Sequence, residues 1–350
     1  MFLRTLRGRS RTNNNSSISS KANLVALNQK TYAKRRSKLC TLLVRSLIVL
    51  SILSILYIGI IGFVAARIAY AAPQPETRTP ANYGLDYRDV TFSSRYDHVQ
   101  LRGWFIPGVL SGGRLTVDRT IIMVHGLRSN RADPLVIGVA AALARHGFAV
   151  LALDLRGHGQ SASAPLSLGY YEQRDVLGAV DFLRSGQLPY PQLGHPRIIG
   201  GWGDSMGGAT MLLAAAREPA IRSIVTDSAF AALVPLLDRT ATYPTIFIPS
   251  VLEAMQILYN ANYYAVRPVD VVASIAPRPL FFIQGTKDST VPAWNMDQLA
   301  HAAEHAPDAH VQTWLVPGAE HIQSFHLMGQ VYVGRVVSFF NETLGPPVQA

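Results

Sequence analysis

The longest unbroken apolar run lies near the N-terminus. Residues 46–66, SLIVLSILSILYIGIIGFVAA, contain no charge, and Arg45 and Arg67 bracket them. As an α-helix rising about 1.5 Å per residue, this run is about 31 Å long, against a bilayer hydrocarbon core of about 30 Å. It is apolar on every face, whereas a helix packed on a soluble core keeps a polar stripe. The pattern therefore predicts a transmembrane helix over 46–66. Residues 1–45, rich in Arg, Asn and Ser, lack a sustained apolar period and read as a disordered tail. Residues 67–84 carry Pro73, Pro75 and Pro80 and read as a short, stiff linker.

From residue 85 the pattern changes. Two runs of strand character, 89–92 and 99–106, suggest an antiparallel pair. Short apolar runs then recur at 120–125, 148–154, 197–202, 221–226, 279–284 and 311–316. Segments of helical period separate them, at 134–145, 171–184, 206–217, 295–305 and 330–341. Continuous short runs suit strands buried on both faces, and their alternation with helices implies a mostly parallel sheet covered on both sides. The remaining 230–269 stretch reads as a helical lid inserted between strands. Ligands in such sheets bind beyond the carboxyl ends of the strands, so the residues that follow each strand carry the functional question.

Charge changes the picture only once it is located. The 350-residue chain has a net charge of +10, and eleven of its 32 Lys and Arg residues lie in 1–45, where there is no acidic residue. The first carboxylate is Glu76, and residues 46–350 hold 21 basic and 22 acidic groups. The folded part thus has no cationic excess with which to neutralise phosphates, which argues against nucleic acid as a partner. Lys30, Lys34, Arg35, Arg36, Lys38 and Arg45 precede the apolar run closely, against Arg67 and Arg78 after it. The positive-inside bias then puts the N-terminus in the cytoplasm and the domain outside, held by a single-pass signal-anchor. A cleaved leader ending at Ala69-Tyr70-Ala71 competes, but the apolar run exceeds the usual 7–15 or so residues of such leaders. The one cysteine, Cys40, excludes a disulfide framework and a Cys-based zinc site, and is read as an unmodified thiol.

The chemistry sits at strand ends. After 197–202 comes Gly203-Asp204-Ser205-Met206-Gly207-Gly208, then a helical segment. Glycines around the serine permit a tight strand-to-helix turn that raises its Oγ above the sheet edge. A serine hydroxyl needs an adjacent base, itself oriented by a carboxylate. Asp288 after 279–284 and His321 after 311–316 supply both, in the order Ser…Asp…His. Asp227 after 221–226 is the rival acid. His301 and His305 are four apart on a helix, but no carboxylate cluster completes a metal site there, so no metal ligands are assigned. Oxyanion donors are expected from the backbone N–H of Met206 and from that of Leu127, in His125-Gly126-Leu127-Arg128, where Gly126 leaves room for the turn.

These pieces resemble the α/β-hydrolase superfamily, in particular serine hydrolases of the monoacylglycerol-lipase-like and Bem46-like kind. The resemblance rests on His125-Gly126, Asp154-Leu155-Arg156-Gly157-His158-Gly159, Gly203 to Gly208, Gly285-x-x-Asp288-x-x-Val291-Pro292 and Gly318-x-x-His321, and it covers residues 85–343. It implies an eight-stranded sheet, a Ser205–Asp288–His321 triad and a structural loop at His158. Asp204, where relatives often carry His or Tyr, assigns no substrate. Pro244, Phe247, Pro249, Met255, Tyr259, Tyr263 and Tyr264 give the insertion an apolar surface that either lines an acyl pocket or packs it onto the domain. The expectation is a membrane-anchored serine hydrolase of small hydrophobic esters needing no cofactor. A peptidase of the same fold and a non-catalytic membrane-anchored binding module stand as alternatives. The pattern specifies neither the acyl chain nor an oligomeric state.

Overall fold

Strand backbones enter the interior only when neighbours satisfy their N–H and C=O groups, and here eight strands pair in one sheet, the inner ones largely buried on both faces and the two edge strands on one. In the computed structural model, which describes residues 15–72, 74–240 and 244–346, these are β1 Arg88–Ser93, β2 Gln100–Ile106, β3 Arg119–Val124, β4 Ala149–Asp154, β5 Ile198–Asp204, β6 Ile221–Asp227, β7 Leu280–Gly285 and β8 Val311–Val316. Their spatial order is β1-β2-β4-β3-β5-β6-β7-β8. β2 runs antiparallel to β1 and β4, and the remaining pairs are parallel. A two-stranded ribbon, Gly108–Val109 with Leu115–Thr116, lies outside this sheet and has no clear apolar signature in the sequence.

The period of two along each strand divides the core. Ile122, Val124, Leu151 and Leu153 face α3 (Glu172–Arg184) and α4 (Met206–Ala215), with α7 (Trp294–Glu304) in the same cluster. Ile121, Met123, Val150, Ala152 and Val225 face α2 (Pro134–Arg145) and α9 (Gln330–Leu344) on the other side. A short helix, α8 (Ser324–Met328), precedes α9. Ladder pairing carries β5, β6 and β7 one or two residues beyond their apolar runs, to Asp204, Asp227 and Gly285. The polar strand-end residues are therefore held in sheet geometry.

Between β6 and β7 the chain leaves the sheet and forms α5 (Leu233–Thr240), α6 (Ile248–Tyr259) and several single 3₁₀ turns. Positions 241–243 of this insertion lie outside the described residues. Met255 and Tyr263 are buried, and the Tyr263 hydroxyl donates to the Leu166 carbonyl at 2.8 Å. Phe247 and Tyr264 remain exposed. The insertion thus both packs onto the domain and presents apolar surface.

The chain divides into two units, Met1–Ile61 and Gly62–Ala350. In the first, the structure differs from the expected disordered tail: helix α1 begins at Asn15 and runs to Ile68, through residues 15–45 as well as the apolar run. No proline occurs before Pro73, and no glycine between Gly8 and Gly59. Helix nucleation is costly and propagation cheap, so a long apolar helix extends back through a segment that lacks breakers. Residues 1–14 of the tail, Pro73 of the linker and residues 347–350 lie outside the described residues. Among the described residues, one helix is long and apolar enough to cross a membrane, and its apolar stretch is almost wholly exposed.

Candidate active site

Ser205 connects the last residue of β5 to the first of α4, and its φ of 49° and ψ of −121° are not those of strand or helix. Such a conformation is costly for a residue with a side chain and persists only where surrounding contacts enforce it. They do so here. The Ser205 N–H donates to the Asp227 carbonyl at 2.8 Å, and α4 is pressed so close to β3 that a Cβ on Gly207 would stand 2.3 Å from the Val124 oxygen. Gly203 is similarly tight against the Gly207 carbonyl. The Oγ of Ser205 consequently projects from the carboxyl edge of the sheet, next to the N-terminus of α4, whose first N–H groups have no intrahelical acceptor.

His321 and Asp288 reach this point from the ends of the two strands that complete the sheet. His321 Nε2 is 3.0 Å from Ser205 Oγ, and its Nδ1 is 2.8 Å from Asp288 Oδ2. Backbone N–H groups of Thr290 and Val291 donate to Asp288 Oδ1 at 3.0 and 2.8 Å, and the Gln284 side-chain amide donates to Oδ2 at 2.8 Å. Gln284 also donates to the Val291 carbonyl. The carboxylate is therefore fixed from strand and loop at once, while the imidazole remains partly open to solvent. Gln284 belongs to none of the motifs read along the chain. An amide within an otherwise apolar strand is the signal it offers.

The loop after β3 closes the site from the other side. A Cβ on Gly126 would meet Asp204 Oδ2 at 2.7 Å and the Ser205 Cβ at 3.3 Å, so a larger residue where this loop passes the serine would displace the Asp204 carboxyl and crowd Ser205. Leu127 follows with an exposed side chain, and Met206 is buried as the first residue of α4. Three hydrogen bonds stitch the loop to the segment after β4. The Leu155 N–H donates to His125 Nε2 at 3.1 Å, the Arg128 N–H donates to His158 Nε2 at 3.1 Å, and the Arg131 N–H donates to Asp154 Oδ1 at 2.8 Å. Both imidazoles accept at Nε2 and are neutral. Burial, with the neighbouring His158, pushes His125 down to about 3, and burial also lowers His158. His158 is thus a clamp on the loop. Arg156 anchors the same segment to α3 through Asp175 at 2.7 Å.

Asp227, the rival acid, is fully buried on the opposite side of β6 from the α3/α4 cluster. Its Oδ1 accepts from the Ser228 hydroxyl at 3.0 Å and lies 3.4 Å from that of Ser324. Burial raises its carboxyl to about 6, against the lowering effect of the Ser228 and Tyr332 hydroxyls and of His321. Asp204, beside Ser205, is also buried. Burial raises it well above the carboxylate range, reinforced by Asp133 and Asp227. No hydrogen bond joins His321 to Asp227 among those of the described residues; the short contact is to Asp288. His301 on α7 and His305 just past its end lie ring to ring, and among the described residues no three metal-ligating side chains gather anywhere.

This architecture has relatives. A family model described as the alpha/beta hydrolase fold matches residues 119–245. The uncharacterised protein YfhR of Escherichia coli is 30% identical over 272 residues, 75% of this chain and 85% of that one. The thiohydrolase aneE of Aspergillus aculeatus is 31% identical over 216 residues, 58% of this chain and 61% of that one. Among solved structures, the Pyrococcus furiosus esterase Pf2001 superposes with a TM-score of 0.64 at 25% identity, covering 79% of this chain and all of that one.

Proposed function

Because the chain belongs to the α/β-hydrolase superfamily, we propose that it is a membrane-anchored serine hydrolase of carboxylic esters, working through Ser205, His321 and Asp288. One observation carries the reading: Ser205 Oγ, the His321 ring and Asp288 form a continuous chain of contacts of 3.0 and 2.8 Å at the carboxyl edge of the sheet. Ser205 Oγ attacks the acyl carbon and forms the C–O bond while His321 Nε2 takes its proton; Asp288 keeps the ring oriented and stabilises the imidazolium. The N–H groups of Met206 and Leu127 hold the oxyanion. Collapse breaks the bond to the alcohol, which leaves with the proton from His321. Water then enters, gives a proton to His321, and releases the carboxylic acid and free Ser205. These groups complete the reaction without a metal or organic cofactor.

The apolar surface of the insertion supports a hydrophobic acyl or alcohol portion, and the esterase Pf2001 and thiohydrolase aneE support acyl transfer to water as the reaction class. The uncharged run at 46–66 supports anchoring. The basic residues on its N-terminal side support a cytoplasmic N-terminus and an extracytoplasmic domain. The test combines labelling and turnover. A fluorophosphonate is expected to label the wild type and not Ser205→Ala, and p-nitrophenyl esters of rising chain length are expected to turn over faster than thioesters or aminoacyl amides. Absence of labelling overturns the enzyme reading, and preference for amides makes the protein a peptidase.

A further inference from the structure

The proline-containing segment after α1 looks like a tether in the sequence, yet its one carboxylate ends beside the loop that passes Ser205. Glu76 Oε1 lies 3.0 Å from Arg131 Nη2, and the Arg131 side chain is 1% exposed. Two other carboxylates face this guanidinium: Asp89 at 3.4 Å, itself mostly exposed, and Asp154 at 3.7 Å. Asp154 is already engaged, since its oxygens accept from the N–H groups of Arg131 and Gln160. Asp89 Oδ1 accepts from the Trp104 indole and, at 3.4 Å, from Arg131 Nη2 as well. Glu76 is thus the nearest counter-charge to a buried cation that also lies over the Trp104 ring at 4.6 Å. Its other oxygen accepts from Gln160 at 2.9 Å, and the Gln74 carbonyl accepts from the Asn130 amide at 2.9 Å. Gln74 and Thr77 line a crevice of about 230 Å³ together with Arg128 and Asn130.

We propose that Glu76 is a positioning residue for the oxyanion loop, so that the juxtamembrane segment is a structural part of the active site. The reasoning rests on the hydrolase reading above. Leu127 is separated from Arg131 by three residues, and Arg128 adopts a φ of +58°, so the loop has little slack with which to absorb a displacement of the guanidinium. Without Glu76 the buried guanidinium keeps only the two longer contacts, to Asp89 and Asp154, and shifts towards the exposed Asp89, because a less compensated charge is poorly tolerated in the interior. The loop then moves with it, and the Leu127 N–H leaves the place where the oxyanion forms. The segment after β4 holds the loop from one side, and the juxtamembrane segment holds it from the other.

The test uses the full-length chain, with p-nitrophenyl ester turnover expressed per Ser205 site titrated by a fluorophosphonate. Glu76→Ala is expected to lower kcat per titrated site about tenfold with KM within about twofold, since small misplacements at a reacting centre cost up to about 100-fold. A merely structural role would lower the number of titratable sites and the Tm and leave kcat per site intact. That result overturns the proposal. If Glu76→Ala does not fold, Glu76→Gln decides: it keeps an acceptor oxygen but not the charge, and is expected to lower kcat per site about threefold. Unchanged kcat per site in Glu76→Gln then overturns the proposal. A wild type that turns over no ester removes the hydrolase reading, and the proposal with it, whereas an active wild type with an equally active variant removes the proposal alone.

Discussion

Asp204 and Asp227 stand opposite one another in the parallel register of β5 and β6, both buried, one residue before Ser205 and one before Ser228. Asp204 Oδ1 has no hydrogen-bond partner among the described residues. Burial raises each of them, and for Asp204 the nearby Asp133 and Asp227 carboxyls add to the shift.

The sign of the consequence for stability follows from Asp227, whose folded value of about 6 lies above its ordinary 3.8. Between about pH 4 and 6 the native state holds the proton that the unfolded chain has lost, so stability falls as pH rises through this window. Above it a penalty of up to about 3 kcal/mol persists, because each tenfold change in proton affinity is worth about 1.4 kcal/mol. Asp227→Asn is expected to raise Tm at pH 8 and to match the wild type near pH 4. Thermal unfolding at the two pH values checks this, and an equal difference at both refutes it.

Asp288 and Asp227 are separated functionally by their amides. Asp288→Asn removes the acceptor for His321 Nδ1 and favours the wrong tautomer, so kcat is expected to fall by about 10⁴ with Tm nearly unchanged. Asp227→Asn is expected to keep kcat within about threefold. Ester turnover of the two variants decides it, and the reverse ranking would make Asp227 the acid.

Two glycines are expected to fail in different ways. Ala at position 207 drives a Cβ into the backbone oxygens of Val124 and His125, at 2.3 and 2.5 Å, where neither partner is a flexible side chain. Gly207→Ala is expected to lose several kcal/mol of stability, in the range of overpacked cores. Ala at position 126 meets the Asp204 carboxylate and Ser205, so Gly126→Ala is expected to fold and to lose at least about tenfold in kcat. Tm and kcat measured side by side distinguish the pair.

The apolar run makes a separate prediction about location. The full-length chain is expected to stay with the membrane fraction after alkaline carbonate extraction. Placing Arg at both Leu53 and Leu56 adds about 2.5–3.5 kcal/mol per charge at the centre of the span and is expected to release it. Retention of the double variant in the pellet would place the anchor elsewhere.

Much of this protein is legible from local pattern alone. Apolar period and glycine placement are properties of neighbouring residues, so the strand–helix alternation, the serine turn at Gly203 to Gly208 and the presence of Asp288 and His321 at strand ends can all be read along the chain. The apolar character of 46–66 is equally local. Other features depend on partners distant in sequence. Both Asp227 and Asp288 follow strands, and only the fold shows that the Asp227 side chain turns to the α8 and α9 side, to Ser228, Ser324 and Tyr332, while Asp288 meets His321. A step of one residue along a strand reverses the face on which a side chain lies, and no short motif records which face a loop will reach. Gln284 becomes meaningful once Asp288 and Val291 fold back over it. The helix through residues 15–45 reflects propagation from a neighbouring segment rather than a period of its own. Glu76, the first carboxylate in the chain, reads as a linker residue until the buried Arg131, 55 positions later, is brought to 3.0 Å from it. Local pattern dictates which elements form and which reactive groups stand at their ends. Which of those groups meet is a property of the folded chain, because charge pairing and burial depend on distances that chain order does not contain.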